Sequence, residues 1–361
     1  MEKITKIIAL FLIISMITTT SCESDAATPE TDEQGENSSD NADEDGDDEN
    51  GEETSENATS AVEKHGLLQV SGNKILDKNQ EAVQLRGMSL FWSQWMGQYY
   101  TKEAVSWLKK DWECNVIRAA MGVEDADGYL SNREVEKQKV FTVIDAAIQE
   151  GIYVIIDWHS HHAEDHLEEA KAFFAEVAQK YGDQPNIIYE PYNEPLQAPS
   201  WNSVLKPYHE QVIAEIRKYD PDNLIICGTR TWSQDVDEVI GNEINDKNVA
   251  YTLHYYAATH KQFLRDKAQR ALDADIPLFV TEYGTTEASG NGFLDKDEAL
   301  VWWNFLDQNK ISWCNWSIAD KQETASALEP GASGTGDWSE NQITESGKMV
   351  RNEIKTKNPE Y

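Results

Sequence analysis

Ile187-Ile188-Tyr189-Glu190-Pro191-Tyr192-Asn193-Glu194-Pro195-Leu196 reads as a short apolar strand that stops on an amide, an acid and a proline. Asn193-Glu194-Pro195 closes the apolar strand with a carboxylate set beside an amide. A second tip of this kind occurs at Pro277-Leu278-Phe279-Val280-Thr281-Glu282-Tyr283-Gly284, where Glu282 follows an apolar run. Two strand-end carboxylates brought across one cleft are the minimal arrangement for cleaving a glycosidic bond.

Working outward, apolar runs recur at Val83–Met88, Asn115–Met121, Tyr153–His159, Ile187–Tyr192, Leu224–Cys227, Val249–Tyr255, Pro277–Tyr283 and Ser312–Ile318. They are continuous rather than alternating, which implies strands covered on both faces. Helical stretches separate most of them, at Lys102–Asp111, Asn132–Gln149, Ala163–Lys180, Ser203–Lys218, Lys261–Leu272 and Asp297–Gln308. Eight such units over about 300 residues predict an α/β fold, a (β/α)8 TIM barrel, as a single catalytic domain spanning 63–361. Between Cys227 and Val249 no clear helix is legible. Polar clusters at the strand ends (Arg118, Asp157-Trp158-His159, Asn193-Glu194, His254-Tyr255-Tyr256, Glu282, Trp316) would then share one face of the barrel.

The first 22 residues have the layout of a signal peptide: Lys3 and Lys6, an apolar run from Ile7 to Ile17, then Ser21-Cys22. Ending on cysteine, the segment resembles a bacterial lipoprotein signal with Cys22 as the lipidation site. Thr19 fits that pattern imperfectly, and plain secretion is the alternative. Either way the protein is expected to be exported, with membrane contact only through the anchor. Residues 23–62 contain 16 Asp or Glu and no Lys or Arg, the composition of a disordered acidic linker. Residues 1–63 hold 18 of the 65 acids and 2 of the 31 bases, so the remainder still carries 18 net negative charges. Such a surface does not favour nucleic acid.

Apart from Cys22, the cysteines Cys114, Cys227 and Cys314 lie at or in strand-like runs, where buried free thiols are expected. No CxxC pair suggests a zinc or redox centre. His159, His161, His162 and His166, with Asp157, Glu164 and Asp165, could be read as metal ligands, but only His159 is placed on a strand end, so no metal is expected.

With these motifs in order, the chain resembles the family 5 glycoside hydrolases, and more narrowly their bacterial endo-β-1,4-glucanases, over residues 67–357. The resemblance rests on Leu85-Arg86-Gly87-Met88, Asn115-Val116-Ile117-Arg118, Asp157-Trp158-His159, Asn193-Glu194-Pro195, His254-Tyr255-Tyr256, Glu282-Tyr283-Gly284 and Trp316-Ser317. It implies no cofactor, a β-glucan substrate, a monomer, and retention through Glu194 as acid/base and Glu282 as nucleophile, about 5 Å apart. It further implies that Arg118 keeps Glu282 ionised, that Tyr256 donates to Glu282, that Asn193 meets the sugar 2-hydroxyl, and that His159 and His254 line the reacting-sugar subsite. Glu194 would have to stay protonated while Glu282 stays charged.

Twelve tryptophans suit a glucan cleft, because sugar faces stack on flat rings. By resemblance Trp316 and then Trp95 lie on the non-reducing side with Lys321 and Glu323, and Trp232 lies on the leaving-group side. Trp107, Trp112, Trp302 and Trp303 read as core, Glu190 as a buried structural acid, and Asp235 and Asp237 as loop acids of either cleft or solvent. Phe91-Trp92 and Gly122 depart from the family pattern and leave the glycone subsites open. A mannanase, xylanase or mixed-linkage glucanase, or a carbohydrate-binding lipoprotein without activity, are the rival readings.

Overall fold

The computed structural model describes residues 60–359. The expected signal segment, Cys22 and the acidic stretch as far as Thr59 lie outside the described residues. Among the described residues no helix is long and apolar enough to cross a membrane.

A helical turn α1 (Ala61–His65) opens the described chain, capped by a reciprocal pair of hydrogen bonds between Ser60 and Glu63. The boundary expected after Val62 therefore falls inside a structured element. Ala61 is fully buried, and Val62 N donates to Gly151 O at 3.0 Å. Gly151 ends a long helix with φ +66, and a Cβ there would meet Ser60 Cβ at 2.3 Å, so glycine is required on both counts. A hairpin of β1 (Gln69–Ser71) and β2 (Lys74–Leu76) follows.

The eight expected strands then appear as β3 (Arg86–Leu90), β4 (Val116–Gly122), β5 (Tyr153–His159), β6 (Ile187–Glu190), β7 (Leu224–Cys227), β8 (Val249–Tyr256), β9 (Leu278–Gly284) and β10 (Trp313–Ile318). They close into a parallel barrel with β10 paired to β3. The covering helices are α2 (Lys102–Lys110), α3 (Tyr129–Glu150), α4 (Leu167–Tyr181), α5 (Lys206–Ile216), α7 (Gln262–Asp273), α8 (Lys296–Asn309) and α9 (Glu345–Lys357). Side chains of Thr101, Asp295 and Thr344 cap α2, α8 and α9. After β7 the illegible stretch holds only the four-residue turn α6 (Arg230–Ser233) and short 3-10 structure before β8.

Strand alternation sorts the core into two layers. Ile117, Val154, Ile156, Ile225, Leu253 and Val280 pack outward in the large cluster under the helices. Val116, Ile155, Ile188, Ile226, Phe279 and Cys314 pack in a separate cluster with Leu68, Ile75, Val83 and Leu85. The N-terminal hairpin thus seals one end of the barrel, and the other end is left for polar side chains. Cys114, Cys227 and Cys314 are free and buried.

Candidate active site

Arg118 is the hub of the polar end. It is fully buried, with Nε 2.7 Å from Glu190 Oε2, Nη1 3.0 Å from Glu282 Oε2, and Nη2 2.6 Å from Asn193 Oδ1 and 2.9 Å from Asp157 Oδ2. A guanidinium offers five donors in a fixed plane, so one residue can pin carboxylates from three strands. Glu190 is fully buried against Arg118 and Thr281, a structural partner of the site rather than a reacting group.

The chain continues past β6 alongside β5: Asn193 N donates to Trp158 O at 3.3 Å and Glu194 N to Ser160 O at 3.2 Å. With its Oδ1 taken by Arg118, Asn193 has its amide N–H2 to offer to a ligand. Between the pairs Thr252/Phe279 and His254/Glu282, β9 advances three residues while β8 advances two. This bulge turns Thr281 and Glu282 both toward the site. Thr281 Oγ1 donates to Glu190 Oε1 at 2.5 Å and lies 2.9 Å from His254 Nε2, while Tyr256 OH donates to Glu282 Oε1 at 2.8 Å.

Glu194 carries a histidine on each oxygen. His254 Nδ1 is 2.9 Å from Oε1, and His161 Nε2 is 3.1 Å from Oε2. Ligand atoms of Glu194, His254 and Glu282 lie within 4.8 Å of one another. These three are already engaged with His161, Thr281, Arg118 and Tyr256, and the mixed set serves an acid pair as it stands. The histidine-rich segment does not gather into a metal site: His159 Nδ1 meets Asp157 at 2.6 Å, His161 meets Glu194, and Glu164 accepts from Tyr192 OH.

The electrostatic balance in the free cleft is the reverse of the expected one. Burial pushes the Glu194 carboxyl up, but the hydrogen bonds and charges of His161 and His254 outweigh it and hold it down at about 2. Burial and the charge of Glu194 raise Glu282 despite His254, Arg118 and Tyr256. His254 loses affinity for its proton by burial yet regains more from Glu190, Glu194 and Glu282, which lift it to about 9. His159 is pushed well down by burial and Arg118. Arg118 divides its charge among three carboxylates, whereas two imidazoles converge on Glu194.

The acid pair sits where two depressions meet. One, of about 440 Å³, is lined by Trp232, Gln234 and His260; the other, of about 310 Å³, by Trp92, Trp95, Trp316, Lys321 and Glu323. Both share His161, Glu194, Tyr256 and Glu282. A cleft therefore runs to either side of the carboxylates with aromatic rings in both directions.

A carboxylate gap this short, in a cleft at the C-terminal ends of barrel strands, decides the family together with residues 76–322, which match the model described as "Cellulase (glycosyl hydrolase family 5)". The chain belongs to glycoside hydrolase family 5. Among similar proteins, endoglucanase Z of Dickeya dadantii is 50% identical over 303 residues, covering 83% of this chain and 68% of that one. A solved structure from Cytophaga hutchinsonii is similar with 58% identity and a TM-score of 0.82, covering 83% of this chain and 97% of that one. The catalytic domain of Thermobifida fusca endoglucanase Cel5A, solved in complex with cellotetraose, is similar with 36% identity and a TM-score of 0.79, covering 82% and 100%.

In this family 5 hydrolase the departures from the usual pattern are absorbed locally. Phe91 packs 5.1 Å from Trp316 and lies under Lys321 Nζ at 5.4 Å, and Lys321 pairs with Glu323 at 2.6 Å. Trp92 stands edge-on to His159 at 4.2 Å and to His161 at 5.8 Å. At Gly122 a Cβ would meet Gln94 Oε1 at 1.7 Å, so Gln94 fills the space beside this glycine. Trp316 is only 5% exposed, stacked parallel to His159 at 5.1 Å, while Trp95 and Trp232 are 50% and 41% exposed.

Trp232 is presented by a left-handed turn in which Thr231, Trp232 and Ser233 all have φ +56. Trp232 N donates to Pro195 O at 2.9 Å and Ser233 Oγ to Asn193 O at 2.8 Å, so the loop is tied to the Glu194 segment. Asp235 accepts from Thr231 and Lys267 and Asp237 from Arg270, which makes both acids anchors of this loop. Trp302 and Trp303 are core residues, as is Trp112; Trp107 is half-buried.

His161, weighed only as a metal ligand, Trp92, noted only as a departure from the family pattern, and Thr281 were not among the candidate substrate-binding residues. Each is placed by a turn, a bulge or a neighbour, none of which leaves a periodic trace in the sequence.

Proposed function

We propose that this family 5 hydrolase is an endo-β-1,4-glucanase that cleaves internal glucosidic bonds with retention, Glu194 acting as acid/base and Glu282 as nucleophile. The close approach of the two carboxylates carries the reading: an oxygen of Glu194 and one of Glu282 lie within 4.8 Å, which favours direct attack over inversion, where room for a water is needed between the groups. A cleft open to both sides, with Trp95 and Trp316 one way and Trp232 the other, supports binding of sugars on each side of the scissile bond. The endoglucanases it resembles support the same polymer.

In this mechanism Glu282 attacks the anomeric carbon as Glu194 protonates the departing oxygen, and water then enters with Glu194 as base. Arg118 and Tyr256 stabilise the charged nucleophile, and Asn193 donates to the 2-hydroxyl. His159 and His254 line the reacting-sugar subsite, Trp316, Trp95, Lys321 and Glu323 hold the glycone, and Trp232 holds the leaving sugars. Export, with Cys22 lipidated, is part of the proposal; Cys22→Ser should move the protein from the membrane fraction to the soluble one.

The stereochemistry of azide rescue tests the roles. On an activated aryl cellobioside, Glu282→Ala should yield the α-glycosyl azide and Glu194→Ala the β-glycosyl azide, read by NMR. Exchanged configurations would reverse the assignment, and near-normal hydrolysis by both variants would end it. Reducing-sugar release from a panel of cellulose derivatives, mannan, xylan and mixed-linkage glucan tests the substrate.

A further inference from the structure

The retaining mechanism needs one proton on Glu194, yet in the free cleft both oxygens of that carboxylate face histidines. His254 is tied down: its side chain is 2% exposed, its Nε2 meets Thr281 at 2.9 Å, and it stands 3.8 Å from Glu190. Stripping its proton would leave buried carboxylates uncompensated. His161 is held more loosely. Its side chain is 37% exposed, its Nε2 meets Glu194 Oε2 at 3.1 Å, and Trp92 stands edge-on to its ring. It also borders both depressions, beside the place a glycosidic oxygen must reach.

Resting on Glu194 as the acid/base, we propose that His161 is a positioning residue that stores the acid proton in the empty cleft and passes it to Glu194 Oε2 when substrate docks. The proton leaves His161 Nε2 for Glu194, giving a neutral imidazole and a carboxylic acid. Glu194 then gives it to the glycosidic oxygen as the bond to the anomeric carbon breaks and Glu282 bonds to that carbon. Water displaces Glu282, loses a proton to Glu194, and that proton returns to His161. The sugar drives the first transfer by excluding water, because an exposed ion pair becomes less favourable than the neutral pair once its solvent is removed.

The groups facing His161 suit this role. Burial lowers its hold on the proton, but Glu194 at the end of β6, Glu282 on β9 and Glu124 after β4 raise it by more. Of the neighbouring rings, His159 is held neutral by burial and Arg118, and His254 keeps its proton for Glu190 and Glu194. The proton of the His161–Glu194 pair is thereby retained to higher pH than Glu194 alone would keep it.

His161→Gln keeps a donor for Glu194 and removes the store. Cellotetraose has a leaving sugar that requires protonation, and dinitrophenyl β-cellobioside has one that does not. For cellotetraose, the basic limb of kcat/KM should move to lower pH, with activity at about pH 8 falling roughly tenfold relative to that at about pH 5. For the aryl glycoside the limb should stay where it is. A cellotetraose limb unchanged from the parent protein overturns the proposal, as does an equal displacement for both substrates. Glu194→Ala with azide, run alongside, separates the cases: a β-azide product with an unmoved His161→Gln limb sinks only the proton store, whereas no β-azide sinks the acid/base assignment beneath it.

Discussion

Thr281 and Glu282 are consecutive residues of a strand, yet both side chains enter the active site: Thr281 meets Glu190 and His254, and Glu282 meets Arg118 and Tyr256. Regular pleating would send one of them outward. The extra residue in β9 removes that constraint and makes a hydroxyl the link between the structural acid and the histidine on Glu194.

Thr281→Val keeps the shape of the side chain and removes this link. Glu190 and His254 Nε2 would each lose a buried partner, at a cost of about 1–3 kcal/mol. Urea unfolding should show the loss, and kcat should fall because His254 is no longer fixed against Glu194. A variant with the parent's midpoint and turnover would mean that the bulge is incidental.

Trp95 and Trp302 separate binding from packing. Trp95→Ala, at a ring 50% exposed, should raise KM on longer cello-oligosaccharides and leave the thermal midpoint unchanged. Trp302 is fully buried, stacked 3.9 Å from Tyr255 with Nε1 donating to His260 O, so Trp302→Ala should cost about 3–5 kcal/mol. Calorimetry beside initial rates distinguishes the two; the opposite pattern would exchange their roles.

Stability should depend on pH through the contacts that His161 and His254 make with Glu194. Glu194 is depressed from 4.5 to about 2, so its contribution is present above 4.5 and is lost as pH falls through 2. His254 is raised from 6.5 to about 9, so its contribution is complete below 6.5 and is lost as pH rises through 9. The contacts are then strongest between 4.5 and 6.5. Unfolding free energies across pH, compared with Glu194→Gln, should show the parent's extra curvature; parallel curves would remove the coupling.

A chain shortened to begin at Ser60 should keep the thermal midpoint and turnover of the longer protein. Beginning at Gly66 should lower the midpoint, because Ala61 leaves a buried site and the Val62 N to Gly151 O bond is lost. Ser60→Ala alone removes the cap of α1 and should cost about 1 kcal/mol. Equal midpoints for the Ser60 and Gly66 chains would show that α1 contributes nothing.

What the sequence by itself determined is the barrel and the residues at its rim. Continuous apolar runs can be buried only under helices on one face and a core on the other, and in a parallel barrel every strand's C-terminal tip shares one side, which is why Arg118, Asn193, Glu194, His254 and Glu282 meet. The stretch after Cys227 stayed illegible for a physical reason too: it holds a left-handed turn tied by hydrogen bonds to the Glu194 segment, and its four-residue helical pieces are too short to produce a period.

Only the tertiary structure decided the charge balance and the fine aim of the groups. Which carboxylate holds its proton more tightly depends on how Arg118 divides its charge among Asp157, Glu190 and Glu282 while two imidazoles converge on Glu194. His161 lies 33 residues from its partner Glu194, and Gln94 occupies the space left by Gly122. Distances of a few ångströms between residues far apart in the chain set these interactions, and electrostatic energy at that range varies too steeply with position to be written in the order of the residues.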